Sequence, residues 1–432
     1  MHVYFSGIGG MAIGPLALIA KQAGFTVSGS DKQSSRSITY LRQHGVDDIH
    51  IGQSRDQIAA VHKKLPIDWF VYTSALTMES PKPPELVFCQ EQSIKTSKRD
   101  EFINLILEKK KLKLIAIAGT HGKTTTTAMV IWLFTQLKAK ISYSVGGKMN
   151  FGTMGLYTPG SKYFVYEADE FDRNFLAFKP YMSLISGVSW DHHEIYPTRE
   201  DYQQAFQEFI SQSGQTILWQ EDFDYIGLNE PTNLFIQASD STLIESINLK
   251  GRYNRLDAWL AIQAVHHLLN APLGQLIVHM NKFPGVQRRM ELIVDNLYTD
   301  YAHTPDKIKA AMDIALEIAG GKKVIVIYEP LTNRRQHYMI NDYKDCFNGA
   351  TKVYWLPTYL AREDPKQRVI SPQELINRLN NPNLAEAAAM DQRLADNIRN
   401  HLKAGDMVVA MNGGGGQSLD EWLRQEFKRK SQ

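Results

Sequence analysis

The sequence predicts an α/β protein of three domains: a Rossmann-like N-terminal domain (1–108), a central parallel sheet around a glycine-rich P-loop (109–282), and a Rossmann-like C-terminal domain (283–432). Three observations carry this reading. An apolar, β-prone run from Leu112 to Ala118 meets Gly119-Thr120-His121-Gly122-Lys123-Thr124-Thr125-Thr126-Thr127, and a helix-compatible segment from Ala128 to Leu137 follows. Residues 2–6 form a short apolar run that turns at Gly7-Ile8-Gly9-Gly10 into a helical stretch, Met11 to Gly24, as a βαβ unit opens. The last third alternates again, with strands expected from Lys323 to Tyr328, Thr351 to Leu356 and Asp406 to Met411.

Size and composition agree. A chain of 432 residues exceeds one ordinary core, so two or three domains are expected. With 43% hydrophobic and 22% charged residues it has the composition of a soluble globular protein. A net charge of +2 gives no pull toward nucleic acid or a membrane surface. Cys89 and Cys346 are the two cysteines and stand far apart, so no disulfide framework or thiolate metal site is implied. No apolar run approaches the roughly 20 residues a membrane helix needs. The apolar start has no basic region before it, so it reads as a nucleotide-type turn and the protein as cytoplasmic.

In the first domain a second strand, Phe25 to Gly29, ends at Ser30-Asp31, placing an acidic residue about 20 positions after the glycines. Position 12 is Ala12 where the full dinucleotide fingerprint has its third glycine, and alanine is tolerated there. The turn can seat a diphosphate on the helix terminus, and a dinucleotide enzyme stays open as a reading. Ile67 to Ala75 is a further strand ending in small polar residues, Ser74 among them, before Pro81, Pro83 and Pro84 break the pattern. The polar, basic stretch from Gln90 to Lys113, with Lys109-Lys110-Lys111, reads as a linker.

The central loop has the chemistry of a triphosphate site. Its two glycines let backbone N–H groups curl toward phosphate oxygens, and the helix behind adds a favourable dipole. Lys123 then reaches the outer phosphates and the Thr124 hydroxyl can ligand Mg²⁺. The spacing is a short form, since the usual first glycine would fall at Ile117. Downstream, the strand Lys162 to Tyr166 runs into Glu167-Ala168-Asp169-Glu170-Phe171-Asp172. So many carboxylates at a strand end call for cations, and period-two geometry places Glu167 and Asp169 on one face. Met182 to Val188, another strand, ends at Ser189-Trp190-Asp191-His192-His193, and a helical segment spans Ala205 to Ile210. Beside a phosphate loop, this His pair reads as a metal-site candidate. Asn254 is a plausible N-cap of the helix opened by Gly251-Arg252-Tyr253. Phe283-Pro284-Gly285 breaks the chain before Arg288-Arg289 and the strand Leu297 to His303, with Thr304 a predicted N-cap and Pro305 at the first helical position. Gly413 to Gly416 reads as a second anion turn or a flexible loop.

These motifs together resemble the Mur ligases, which build the peptidoglycan precursor. The resemblance spans nearly the whole chain, through Gly7 to Gly10, Ser28 to Asp31, Gly119 to Thr127, Glu167 to Arg173 with Phe175, Asp191-His192, Arg288-Arg289 and Asp300-Tyr301-Ala302-His303. It implies an ATP- and Mg²⁺-dependent ligase joining L-alanine to the carboxylate of UDP-N-acetylmuramate through an acyl phosphate, working as a monomer or homodimer. It also implies roles. Gly7, Ile8, Gly9, Gly10, Ser30, Asp31 and Ser74 would hold the UDP-sugar. Gly119, Thr120, His121, Gly122, Lys123, Thr124, Thr125, Asn254, Arg289 and Asp300 would hold ATP, with Thr124, Glu167 and His192 as metal ligands. Lys123, Glu167, His192, Arg289 and His303 would be catalytic, His303 orienting or deprotonating the amine unless it caps its helix. Arg335 would sit in the amino-acid pocket.

The chain departs from the family in places. The usual Asn before Asp-His is replaced at Gly187, and His-Asn-x-x-Asn reads Tyr253-Asn254-Arg255-Leu256-Asp257. Family members that add L-alanine carry Pro-His-Arg and a further Arg three residues on, whereas this chain has Pro330-Leu331-Thr332-Asn333-Arg334-Arg335. Asn333 and Asn412-Gly413-Gly414 resemble the members that recycle a tripeptide onto UDP-N-acetylmuramate. Three other readings therefore stand: tripeptide recycling, a dinucleotide-dependent oxidoreductase, and an inactive binding homologue.

Overall fold

Parallel β-structure organises the chain into three sheets, each following from strands that are apolar on both faces. The computed structural model describes residues 1–428 except 11, 74–75, 78–79, 193–194, 230–232, 361–362, 364–365 and 415–416. Ser74 and His193 thus lie outside the described residues. The chain forms two units, Met1–Ile247 with Leu256–Pro284, and Asn248–Arg255 with Gly285–Gln432.

The first unit holds two sheets. One comprises β1 (His2–Ser6), β2 (Thr26–Asp31), β3 (Ile49–Ile51), β4 (Trp69–Tyr72) and β5 (Lys95–Lys98) in the order β3-β2-β1-β4-β5, all parallel. The order reverses beside β1, so the Gly7–Gly10 turn opens at the switch point where such sheets bind ligands. The other comprises β6 (Lys113–Ala118), β7 (Ser142–Ser144), β8 (Gly155–Leu156), β9 (Tyr163–Glu167), β10 (Met182–Ile185), β11 (Thr216–Trp219) and β12 (Leu234–Gln237). Its order is β12-β11-β10-β6-β9-β7-β8, with only the β7–β8 pair antiparallel. Because β9 and β10 flank β6, with Ile117 opposite Glu167 and Ala118 opposite Ile185, three strand ends converge on one loop.

The second unit holds β13 (Glu291–Val294), β14 (Leu297–Asp300), β15 (Val324–Glu329), β16 (Lys352–Trp355), β17 (Ala385–Ala387) and β18 (Met407–Asn412), in the order β13-β14-β18-β15-β16-β17. Apart from the antiparallel β13–β14 pair it is parallel, and Asp300, Asn412 and Glu329 end adjacent strands.

Three local readings are corrected. The stretch read as a linker holds β5 and a helix, Arg99–Lys110, whose Phe102, Ile103 and Ile106 are buried in the core under the first sheet. The lysine run ends that helix, with Lys111 in the left-handed region. The helix behind the phosphate loop starts at Lys123, not Ala128, and four threonines form its buried first turn. Asn254 is not an N-cap: the helix begins at Arg252, after Gly251 at φ +85°, and the Asn254 amide donates back to the Lys250 carbonyl at 2.8 Å.

Candidate active site

Two glycines shape the central loop, for both conformational and steric reasons. Gly119 has φ +139° and Gly122 φ +75°, where a Cβ is disfavoured. A Cβ on Gly119 would meet Ser186 Oγ at 2.7 Å and the Gly187 carbonyl at 2.9 Å. A Cβ on Gly122 would lie 2.9 Å from Asp257 Oδ2 and closer still to Oδ1. The segment after β10 clamps the loop. Thr120 N–H donates to the Gly187 carbonyl at 2.7 Å, the Thr120 hydroxyl to the Ser189 carbonyl at 2.7 Å, and His121 Nε2 lies 2.7 Å from Ser189 Oγ. Thr120 also meets the hydroxyl of buried Tyr202 at 2.7 Å. Thr125, in the first helical turn, is buried.

Two carboxylates work at the mouth of the loop. Thr124 Oγ1 donates to Glu167 Oε1 at 2.8 Å, and Glu167 Oε2 accepts from Gly146 N at 2.7 Å. Lys123 Nζ donates to the Gly119 carbonyl at 2.5 Å and to Glu170 Oε2 at 2.6 Å. Burial disfavours the Lys123 charge, but Glu170, Asp169 and Glu167 outweigh it and hold its pKa above the usual value. His192 Nε2 stands 3.6 Å from Glu170 Oε1, at a residue with φ +55°. The expected Glu167–Asp169 face does not form. β9 ends at Glu167, and Asp169 turns to Arg99 at 3.2 Å while Asp172 pairs with Lys98.

The donor set suits Mg²⁺: a hydroxyl and a carboxylate beside an anion-binding loop are hard oxygen ligands, and this ion takes its remaining ligands from water and phosphate. No group of three or more His, Cys, Asp and Glu able to hold a metal occurs among the described residues. Thr124 and Glu167 are in contact, whereas His192 faces Glu170.

At the first sheet the predicted diphosphate turn is tightly self-bonded. Gly7 N and Ile8 N donate to the Ser30 carbonyl at 2.8 and 2.9 Å, and Gly9 N to Asp31 Oδ2 at 2.9 Å. Gly10 N closes on the Gly7 carbonyl at 2.9 Å. Ser30 and Asp31 therefore build the turn. Beside it opens a cavity of about 270 Å³ lined by Lys32, Gly52, Gln53, Leu76, Pro83 and Glu85. Glu85 is buried at its wall and accepts from Tyr4 OH at 2.8 Å and Ser6 Oγ at 2.7 Å. Burial raises its pKa against the pull of those hydroxyls.

In the second unit Asp300 accepts from Met290 N at 2.8 Å and Ala302 N at 2.9 Å. Burial raises its pKa, opposed first by Arg289. The Arg289 guanidinium lies 5.1 Å from the centre of the Tyr301 ring. Arg288 instead donates to Asn412 Oδ1 at 2.8 Å and the Gly414 carbonyl at 3.0 Å, so Gly414 of the glycine run is a structural acceptor. His303 is buried, its Nδ1 2.8 Å from the Tyr301 carbonyl, and it packs against Gly413. Thr304 is the N-cap by position and makes no side-chain cap bond; Pro305 opens the helix as expected. Arg335, on the helix Asn333–Met339, is half-buried and makes no hydrogen bond or ion pair among the described residues. Asn254 belongs to this second unit as well.

Sequence reasoning missed Glu170 as the partner of Lys123, and Asp257 as the side chain lying on Gly122. Glu170 stood in the acidic run, but the period of a strand does not extend into the turn after it.

Family models match three segments: "Mur ligase family, catalytic domain" at residues 2–111, "Mur ligase middle domain" at 117–236, and "Mur ligase, glutamate ligase domain" at 288–414. The UDP-N-acetylmuramate–L-alanine ligase of Clostridium novyi is 30% identical, with 95% of this chain and 94% of that protein aligned. The chain belongs to the Mur ligases. The same ligase of Clostridium tetani is also 30% identical, over 95% of each chain. The Mur ligase fold is shared with solved structures. That of the UDP-N-acetylmuramate–alanine ligase MurC of Thermotoga maritima aligns with TM-score 0.76 at 23% identity, over 99% of both chains. That of a murein peptide ligase of Psychrobacter arcticus aligns with TM-score 0.65 at 22% identity, over 98% of this chain and 99% of that one. As a Mur ligase the chain is a ligase enzyme. No described helix is long and apolar enough to cross a membrane.

Proposed function

We propose that this Mur ligase joins L-alanine to the carboxylate of UDP-N-acetylmuramate at the expense of ATP, as a cytoplasmic monomer or homodimer. The observation that carries the reading is the convergence of Lys123, Thr124, Glu167 and Glu170 at one loop mouth, in a chain aligned end to end with L-alanine ligases. Residues 1–108 would bind the UDP-sugar, 109–282 ATP, and 283–432 the amino acid.

A carboxylate is a poor electrophile, and activation by phosphoryl transfer brings two anions together, which cations must screen. Lys123 would bind the outer phosphates, and the loop N–H groups would orient the chain of phosphates. Thr124, Glu167 and His192 would hold Mg²⁺, which supplies Lewis-acid charge neutralisation. The cavity beside Gly7–Gly10 supports a UDP-sugar subsite at the first sheet. Arg289 and Asp300 would contact ATP, with Asn254 at the base or ribose. His303 would orient the attacking amine, and Arg335 would pair with the amino acid's carboxylate.

The test is phosphate release from ATP with Mg²⁺ and UDP-N-acetylmuramate, adding L-alanine, L-serine, glycine or the tripeptide in turn. Release that depends on L-alanine supports the reading. Dependence on the tripeptide alone assigns recycling, the reading that Asn333 favours. ATP binding without release for any amine overturns the enzyme reading.

A further inference from the structure

We propose that Glu170 is a positioning residue that occupies Lys123 in the place of a terminal phosphate and yields it when a triphosphate enters. The proposal rests on the reading of the Gly119–Thr125 loop as a triphosphate site.

The geometry sets Glu170 apart from its acidic neighbours. Its side chain is 1% exposed, against 15% for Lys123, so a carboxylate and an ammonium meet almost out of water. One oxygen takes the lysine at 2.6 Å, and the other faces His192 Nε2 at 3.6 Å. Glu167, three residues earlier, is engaged with Thr124 and Gly146 N. Asp169 and Asp172 point to Arg99 and Lys98. Glu170 reaches both the loop lysine and the histidine.

Its backbone is held as firmly as its side chain. The hydroxyl of fully buried Tyr196 donates to the Glu170 carbonyl at 2.6 Å. Phe171 meets the His192 ring edge-on, with centroids 5.1 Å apart. Asp172 and Arg173 both adopt φ near +55°, a strained conformation that persists only where surroundings impose it. Lys98 holds the first, and the Tyr196 ring lies under the guanidinium of the second.

A buried ammonium with no anion is strongly disfavoured, so an empty phosphate loop needs an internal counter-charge for Lys123. Glu170 supplies it. A phosphate oxygen that approaches Lys123 Nζ then competes with this carboxylate for the same protons. Triphosphate binding must displace or share the pair, and the freed carboxylate is already beside His192. Glu170 thus lowers intrinsic affinity for the triphosphate while keeping the lysine and histidine aimed at the loop.

The test is the isosteric Glu170→Gln variant of the full chain. Equilibrium binding of a non-hydrolysable β,γ-imido ATP analogue and of AMP is measured by calorimetry, with and without Mg²⁺. The expected result is about tenfold tighter binding of the analogue, unchanged binding of AMP, and a kcat at least tenfold lower. Glu170→Asp keeps the charge and should stay near wild-type affinity. Tyr196→Phe, which loosens Glu170 without removing it, should shift analogue binding in the same direction by a smaller factor, and keeps the question answerable if Glu170→Gln fails to fold. Equal weakening for analogue and AMP, or no gain for the analogue, overturns the proposal while leaving the triphosphate reading intact. No binding of the analogue to wild type overturns both.

Discussion

The Asp257 carboxylate lies against the Cα of Gly122, on the side where any larger residue would carry its Cβ. The phosphate loop and the helix Arg252–Leu269 are therefore fitted to each other at this point, and Gly122 also has φ +75°. Gly122→Ala should cost about 1–3 kcal/mol in stability through backbone strain and contact combined, and should abolish ATP binding. Adding Asp257→Ala removes the contact but not the strain, so denaturant unfolding should show partial recovery. If the double variant is no more stable than the single one, the contact is not what excludes a side chain.

Thr124 and Glu167 hold each other at 2.8 Å, and in the proposed reaction both turn to the metal. Glu167→Gln should lower kcat about 10²–10³-fold, the scale of losing one preorganised electrostatic group. The Mg²⁺ concentration for half-maximal rate should rise in parallel, with thermal stability little changed. An unaltered Mg²⁺ requirement would remove Glu167 from the metal site.

Glu329 predicts a pH dependence. It is buried at the end of β15, and desolvation pushes its pKa from 4.5 up to about 7, against the Leu419 N–H and the charge of Arg288. A carboxyl with a raised folded-state pKa favours folding fully below its unfolded pKa and loses that contribution as pH rises through the folded value. The window is pH 4.5 to 7, and 2.5 pKa units at 1.36 kcal/mol each correspond to roughly 3 kcal/mol. Glu329→Gln keeps an acceptor for Leu419 N–H and cannot ionise. Its urea midpoint should fall less than that of wild type between pH 5 and pH 7.5, and parallel curves would refute the assignment.

Arg335 is the cation of the C-terminal unit expected to meet the amino acid. Arg335→Ala should raise KM for the amine about tenfold to a hundredfold, as loss of a charge-assisted pair does, while KM for ATP stays the same. Arg335→Lys should recover only part, because a point charge cannot form a two-pronged contact with a carboxylate. Steady-state kinetics with each substrate varied in turn separates these outcomes.

What was legible in the sequence was local. Leu112 to Ala118 followed by Gly119 to Thr127 states a strand, a turn and a helix within a few residues, and the helix only started earlier because four threonines pack in its first turn. Glu167 was legible as the first carboxylate after the strand read from Lys162 to Tyr166, and the structure makes it the last residue of that strand. Glu170 was not, because its direction depends on left-handed residues at 172 and 173 and on Tyr196, which is far along the chain. The helix Arg99–Lys110 was hidden by its own charges: a surface helix carries polar residues around a narrow apolar stripe, here Phe102, Ile103 and Ile106. Asn254 was misread as a cap because Gly251 starts the helix earlier.

The turn from Glu167 to Asp172 sends its carboxylates in different directions: to Thr124, to Arg99, to Lys123 and to Lys98. Such a segment is constrained in length as well as in composition. Inserting one residue before Asp169 would move that aspartate into the place of Glu170, leaving Lys123 facing a carboxylate meant for Arg99, whereas deleting Ala168 would put Phe171 there with no change in net charge. In a library of single-codon insertions and deletions, this stretch should therefore be barren even where individual point changes, such as Asp172→Glu, survive.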